Sequence, residues 1–310
     1  METTMMHRAA LGFLLAVLLF TASSAAQKPC PGRPVVALLT DFGLAGDAVG
    51  LCHGAILAVN RDIAIVDLAH NIPAFNIQQA ALALARTEIF PAGTVFVAVV
   101  DPGVGTRRRA VGIRTAAGMV YLGPDNGVLT NVLQRHSVVE ACELDPAKIN
   151  PAWRPGTFDG RDLFSPAGAL IATAGGDFAA FGQPIDPATL LRLPIPALRV
   201  DAAHKTIHGA YIATDHPYGN VWTNISAEAL TQIGVARGER LVVTIGATRL
   251  ELDLAGTFGD VPEDAPLAYL NSDNFLALAV NKGDFAARYA LSVGMDVQVA
   301  KAVADRPAQP

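Results

Sequence analysis

Cysteine is scarce in this chain: three in 310 residues, Cys30, Cys52 and Cys142, at wide and irregular spacings. An odd, scattered set builds no disulfide framework, so at least one thiol is free or pairs between chains. Cys52 falls in an apolar, helix-like segment and reads as a small core residue. No CxxC or HExxH spacing occurs and the seven histidines are dispersed, so no metal is expected. Charge is sparse at 16%, aromatics make up 6%, and the net charge is only −5. Without a basic excess there is nothing to attract nucleic acid or an anionic membrane surface. Internal repeats and low-complexity segments are absent too.

What is there is apolar: 51% of the residues are hydrophobic, enough for one large or two ordinary domains. Residues 1–26 stand apart. His7 and Arg8 precede the apolar run Leu11 to Phe20, and Ser24-Ala25-Ala26 follows. This predicts a secretory signal cut near Ala26 and a secreted or periplasmic mature protein with no membrane segment; the alternative is an uncleaved anchor.

The centre of the chain is Gly93 to Arg109, GTVFVAVVDPGVGTRRR. Thr94 to Val100 is an unbroken β-branched run, the pattern of a strand covered on both faces. Pro102 ends it, and two glycines open the turn. Asp101 then sits at a strand's carboxyl end, where open α/β sheets bind ligands, with Arg107, Arg108 and Arg109 beyond. A carboxylate and a guanidinium on one loop make a plausible reactive pair; equally, the Asp caps its own turn beside solvated arginines.

Pro34 to Thr40 predicts another buried strand, ending on Asp41-Phe42-Gly43. A kinase reading of that triplet fails, because no Gly-rich loop, lysine strand or HRD loop accompanies it. Helical spacing follows at Asp47 to Asn60 and Phe75 to Phe90, with a strand at Ala64 to Leu68 between them. Ala110 to Ile113 and Met119 to Leu122 suggest a hairpin, and helices are expected at Val128 to Gln134 and Pro166 to Thr173. Pro184 to Pro196 carries four prolines and reads as a linker. From Ala203 the character changes to seven short strand-like runs with one helix at Ala227 to Ile233. The expectation is an α/β protein: a doubly wound, mostly parallel N-terminal sheet with helices on both faces (34–190), then a smaller antiparallel β-barrel-like domain (198–303).

Six ordered motifs carry a resemblance: TDFG at 40–43, VDPGVGT at 100–106, PDNG at 124–127, GRD at 160–162, DHPYGNVWTNI at 215–225 and YLNS at 269–272. Together they resemble the S-adenosylmethionine (SAM) hydroxide adenosyltransferases, or SAM hydrolases, which share a fold with SAM-dependent fluorinases and chlorinases. The resemblance implies hydrolysis of SAM to adenosine and methionine with no cofactor, in a homotrimer whose sites lie between subunits. It implies that Asp41 holds the ribose hydroxyls and that Phe75 stacks on adenine. Asp215, Tyr218, Asn220 and Trp222 would come from the second subunit, with Asn271 and Ser272 near adenine and the methionine end. Barrel core is the plainer reading of Tyr218 and Trp222.

The same resemblance implies a catalytic Asp–Arg–His set, matched by Asp101 and Arg108. The third position departs, since Asp159 stands where the family reads His. A carboxylate is a poorer base at neutral pH than an imidazole by roughly two to three pKa units. Two alternatives to hydrolysis therefore stand: an exported adenosyl-binding protein with weak or no turnover, and a halogenase. Fluorinases replace the loop Asp with Tyr, and Asp101 would repel a halide. Asp273 stands where fluorinases carry Arg, a poor match for a substrate carboxylate. His53 stands where relatives commonly have Lys.

Overall fold

The computed structural model describes residues 32–302; the expected signal at 1–26 and Cys30 lie outside them. The first half runs β1 (Val35–Thr40), α1 (Ala48–Val59), β2 (Ala64–Ala69), α2 (Ile77–Leu84), β3 (Val95–Val99), β4 (Ala110–Thr115) and β5 (Val120–Pro124). It continues with α3 (Thr130–Arg135), β6 (Val138–Leu144), α4 (Pro146–Ile149), a π-helical turn (Gly160–Phe164), α5 (Ser165–Thr173) and β7 (Gly182–Pro184). These seven strands form one sheet in the order β2-β1-β3-β5-β4-β6-β7. Neighbours among β2, β1, β3 and β5 are parallel, whereas β4, β6 and β7 attach antiparallel.

Alternation along the strands feeds two cores. Val36 and Leu38 of β1, with Val95, Val97 and Val99 of β3, face one side, packed with Cys52 and Ile56 of α1 and Ile171 of α5. Ala37, Leu39, Phe96 and Ala98 face the other, against Leu84 of α2 and Val132 of α3. A pleated strand buried on both faces needs such a continuous apolar run. Among the described residues no helix is long and apolar enough to cross a membrane.

The second half contains β8 (Arg199–Asp201), β9 (Thr206–Asp215), β10 (Asn220–Ser226), α6 (Ala227–Gln232), β11 (Arg240–Ile245) and β12 (Thr248–Ala255). It ends with β13 (Pro266–Leu270), β14 (Phe275–Val280), α7 (Phe285–Arg288) and β15 (Asp296–Lys301). The order β10-β14-β13-β12-β11-β15-β9 closes through the β9–β10 pair into a seven-stranded barrel, with β8 on its rim. One pair departs from the antiparallel expectation: β12 and β13 run parallel. A crossover through Phe258–Asp260 returns the chain in the same direction.

Two local expectations change. Helix α2 begins at Ile77 rather than Phe75, because the Asn76 side chain accepts from the Gln79 amide and caps it. Phe75 stays outside at φ 67°. The proline-rich stretch is strapped down rather than loose. Leu190 is buried, Leu191 N donates to Asp125 Oδ1 at 2.8 Å, and Leu193 N donates to Thr130 Oγ1 at 2.8 Å.

Candidate active site

Strands β1 and β3 are parallel neighbours in register, with Thr40 opposite Val99. Asp41 and Asp101 therefore leave the sheet at the same edge, on adjacent loops. The Asp101 loop turns back through Gly105 at φ 78°, where a Cβ would lie 2.9 Å from the Gly156 carbonyl. Only glycine allows both that conformation and that approach. The loop carrying Asp159 is thereby laid against the loop carrying Arg108.

Arg108 bridges the two carboxylates. Its Nε and Nη2 donate to Asp101 Oδ2 at 2.9 and 2.6 Å, and Nη2 also meets Asp159 Oδ2 at 2.5 Å. Asp101 Oδ1 accepts from the Gly103 amide at 3.2 Å. Asp159 Oδ1 accepts from Trp153 Nε1 at 2.9 Å. The guanidinium carbon lies 5.4 Å from the centre of the Phe164 ring. Burial opposes the charge on Arg108, but hydrogen bonds and attraction from Asp101 and Asp159 outweigh it and hold its pKa above the ordinary value. The three side chains are nearly buried, so their mutual attraction is weakly screened. They can position a water beside a fixed carboxylate, and both oxygens of Asp159 are already engaged.

Asp41 joins this edge through its neighbour. The Phe42 ring packs edge-on against Phe158 at 5.6 Å between centroids, and a Cβ on Gly160 would lie 2.8 Å from it. Asp41 Oδ2 accepts from the Phe75 amide at 2.9 Å. That bond fixes the strained Phe75 backbone and leaves its ring 69% exposed, an open aromatic face.

The six remaining candidates gather elsewhere. Asp215, Tyr218, Asn220, Trp222, Asn271 and Ser272 line one cavity of about 830 Å³, with Tyr269 and Arg86. Asn220 Nδ2 donates to Asp215 Oδ2 at 2.9 Å across the β9–β10 hairpin. Gly219 in that turn, at φ 70°, is required: a Cβ would sit 2.0 Å from Asp284. Tyr218 at the tip is 66% exposed, which excludes barrel core for it. Asn271 Oδ1 accepts from the Asp273 and Phe275 amides at 3.0 Å each, so it also shapes the β13–β14 turn. Asp41, Phe75, Asp101, Arg108 and Asp159 are not among this cavity's walls.

Asp273 is not a bare negative charge. Its Oδ2 lies 3.1 Å from Arg86 Nε, and its Oδ1 lies 3.7 Å from Arg135 Nη1. Two guanidiniums face one carboxylate, leaving the locus net positive, and Arg86 also lies over the Trp222 ring at 4.8 Å. Neither Arg86 nor Trp153 stands out in the sequence. Other motifs are structural: Asn126 of PDNG ties to the Val100 carbonyl at 2.9 Å, and Asp125 holds Arg109. In GRD, Arg161 pairs with Asp162. Among the described residues, one group of side chains has metal-binding proximity: His53, Asp67 and His70.

Residues 36–182 match the model of the SAM hydroxide adenosyltransferase N-terminal domain, and residues 209–298 match that of its C-terminal domain. An (R)-S-adenosyl-L-methionine hydrolase of Thermus thermophilus is 36% identical over 276 residues, covering 86% of this chain and 99% of that protein. A fluorinase of Nocardia brasiliensis is 33% identical over 292 residues, covering 86% of this chain and 97% of that one. The solved structure of a conserved Thermotoga maritima protein superposes with a TM-score of 0.80 at 30% identity, covering 86% of this chain and all 100% of its own.

Proposed function

This chain belongs to the SAM hydroxide adenosyltransferase family, and from that premise we propose that it hydrolyses SAM to adenosine and L-methionine. The observation that carries the reading is Arg108 clamped between Asp101 and Asp159 at the sheet edge that also bears Asp41. Asp41 holds the ribose hydroxyls through charge-assisted hydrogen bonds, and Phe75 offers its exposed ring to the base. Asp101, oriented by Arg108, directs a water at ribose C5′. The water oxygen bonds to C5′ as the C5′–S bond breaks. The sulfur keeps the bonding pair, methionine leaves as a neutral thioether, and the water's proton passes to Asp101 and on to solvent. Because that leaving group needs no protonation, a single base meets the demand, and the reaction asks for no cofactor.

Within one chain Asp41, Phe75, Asp101, Arg108 and Asp159 do not line the barrel's nucleoside-binding cavity, although Asp215 and Trp222 also face a second cavity beside Asp67 and His70. A site shared between subunits, with one sheet edge meeting the next barrel, suits this division, and the family resemblance makes the assembly a homotrimer. The apolar run at 11–20 supports export of the mature protein. Arg86, over Trp222, takes the place of the absent arginine at position 273 in reading the methionine carboxylate.

One observation favours a second reading, an adenosyl-binding protein with little turnover: both Asp159 oxygens are occupied and no imidazole completes the set. Incubation with SAM in chloride buffer, followed by chromatography, separates the readings. Adenosine and methionine are expected. Binding without product favours the binding protein, and 5′-chloro-5′-deoxyadenosine would reveal a halogenase.

A further inference from the structure

Away from the Asp101–Arg108–Asp159 set, the fold joins three side chains from different elements. His53 projects from α1, Asp67 from β2, and His70 from the loop after it. Asp67 Oδ1 lies 2.7 Å from His53 Nε2 and 2.9 Å from His70 Nε2, and the donor atoms of all three fall within 4.8 Å of one another. Histidines dispersed in sequence thus converge on one carboxylate oxygen.

The surroundings resemble those of a metal ligand set. His70 is buried, and its second nitrogen, Nδ1, lies 2.9 Å from Thr40 Oγ1. Here Nε2 donates to Asp67 Oδ1, so Nδ1 accepts from the Thr40 hydroxyl; a metal on Nε2 would shift the ring proton to Nδ1, which then donates to Thr40 Oγ1, the usual outer support of a metal-binding histidine. Burial of Asp67 opposes its ionisation, but hydrogen bonds from His70 and His53 prevail and keep its carboxyl below the ordinary value. It is therefore anionic at neutral pH. Asp67 and His53 keep part of their surface in water, and Asp67 and His70 line a cavity of about 610 Å³, so an ion has a path in.

We propose that His53 Nε2, Asp67 Oδ1 and His70 Nε2 form a binding site for a divalent transition metal of the zinc type, completed by water. Metal–ligand bonds of about 2.0–2.2 Å in tetrahedral geometry set donor–donor edges near 3.4 Å. The observed 2.7 and 2.9 Å contacts must therefore open by roughly half an ångström as the metal replaces the shared protons. Two imidazoles and one carboxylate suit Zn²⁺ and Co²⁺ and are too nitrogen-rich for Ca²⁺ or Mg²⁺. The site clamps α1 to β2. Through Thr40, whose Oγ1 also accepts from the Phe42 amide at 3.2 Å, it steadies the turn that carries Asp41.

The test needs no SAM and is independent of the hydrolase reading. The full chain, stripped with chelator, is titrated with ZnCl₂ by calorimetry and with CoCl₂ by visible absorption. One Zn²⁺ per chain, the intense bands of four-coordinate Co²⁺, and a Tm raised by about 5–10 °C at a hundredfold excess over Kd are expected. His53→Lys keeps a positive partner for Asp67 while removing one ligand; it should fold and lose the cobalt bands and at least tenfold in zinc affinity. His70→Ala should lose them too. No binding by the wild type, or equal binding by wild type and His53→Lys, overturns the site.

Discussion

A single nitrogen, Arg108 Nη2, lies 2.6 Å from Asp101 Oδ2 and 2.5 Å from Asp159 Oδ2, so one guanidinium fixes both carboxylates. The two acids are unlike in their other contacts. Asp159 gives its remaining oxygen to Trp153, whereas among the described residues the remaining oxygen of Asp101 meets only the Gly103 amide, at a long 3.2 Å. Asp101 is therefore the group with capacity left to accept from a water.

Asp101→Asn removes the base but keeps the shape and one hydrogen bond to Arg108. Adenosine release should fall by about 10²–10⁴-fold in kcat. KM for SAM should change little, because Asp101 touches the water rather than the nucleoside. A variant that keeps wild-type kcat would remove Asp101 from the chemistry.

Asp159→His tests whether the carboxylate is a defect or a working substitute. A neutral imidazole has one acceptor nitrogen, yet two donors, Trp153 Nε1 and Arg108 Nη2, converge on position 159. Either the half-buried Trp153 Nε1 loses its acceptor, at a cost of about 1–3 kcal/mol, or Arg108 Nη2 loses one of its two and keeps Asp101. Reduced stability and no gain in kcat over an active wild type are expected. A large gain would show instead that Asp159 limits turnover.

Much of this was legible in the sequence, for physical reasons that differ by region. β1 and β3 are buried on both faces, so their apolar runs announce them, and the motif loops follow directly. β6 was not expected, because Val138–Leu144 lies toward the antiparallel side, interrupted by Glu140 and Glu143 and half exposed. The parallel β12–β13 pair depends on a chain crossover that no local pattern encodes. Asp101 and Arg108 lie on one loop and could be paired by eye, whereas Trp153 on Asp159 and Arg86 on Asp273 are tertiary meetings. Hence the arginine partners of Asp273 come into view only in three dimensions.

Cys142 supplies an alkaline signature. Burial, with the nearby Glu140 charge, pushes its thiol up to about 11 from an ordinary value of 9.0. The folded state thus holds a proton that the unfolded chain releases first. Stability from this group is complete below pH 9 and is lost as pH rises through about 11. Tm measured from pH 8 to 11 should decline, and less steeply in Cys142→Ala, whose baseline drops for lost packing. Burial raises Tyr121, Tyr211 and Tyr269 as well, so part of the decline persists above pH 10. Identical slopes in variant and wild type would refute the assignment.

On the proposed reading, Arg86 receives the amino-acid end of the substrate. It reaches the cavity wall beside Asn220, Asn271 and Ser272, lying over Trp222 and paired with Asp273. Arg135 supports Asp273 from the other side, so the second guanidinium keeps the locus attractive to an anion even while Asp273 is charged. A substrate carboxylate shares Arg86 rather than meeting Asp273 unopposed. Arg86→Ala should raise KM for SAM by about 10–100-fold, the range of one charge-assisted hydrogen bond, with kcat nearly constant. For decarboxylated SAM, which has no carboxylate to lose, wild type and variant should share one KM. Equal losses on both substrates would mean that Arg86 serves only to pack Trp222, and the carboxylate would then be read by some other group.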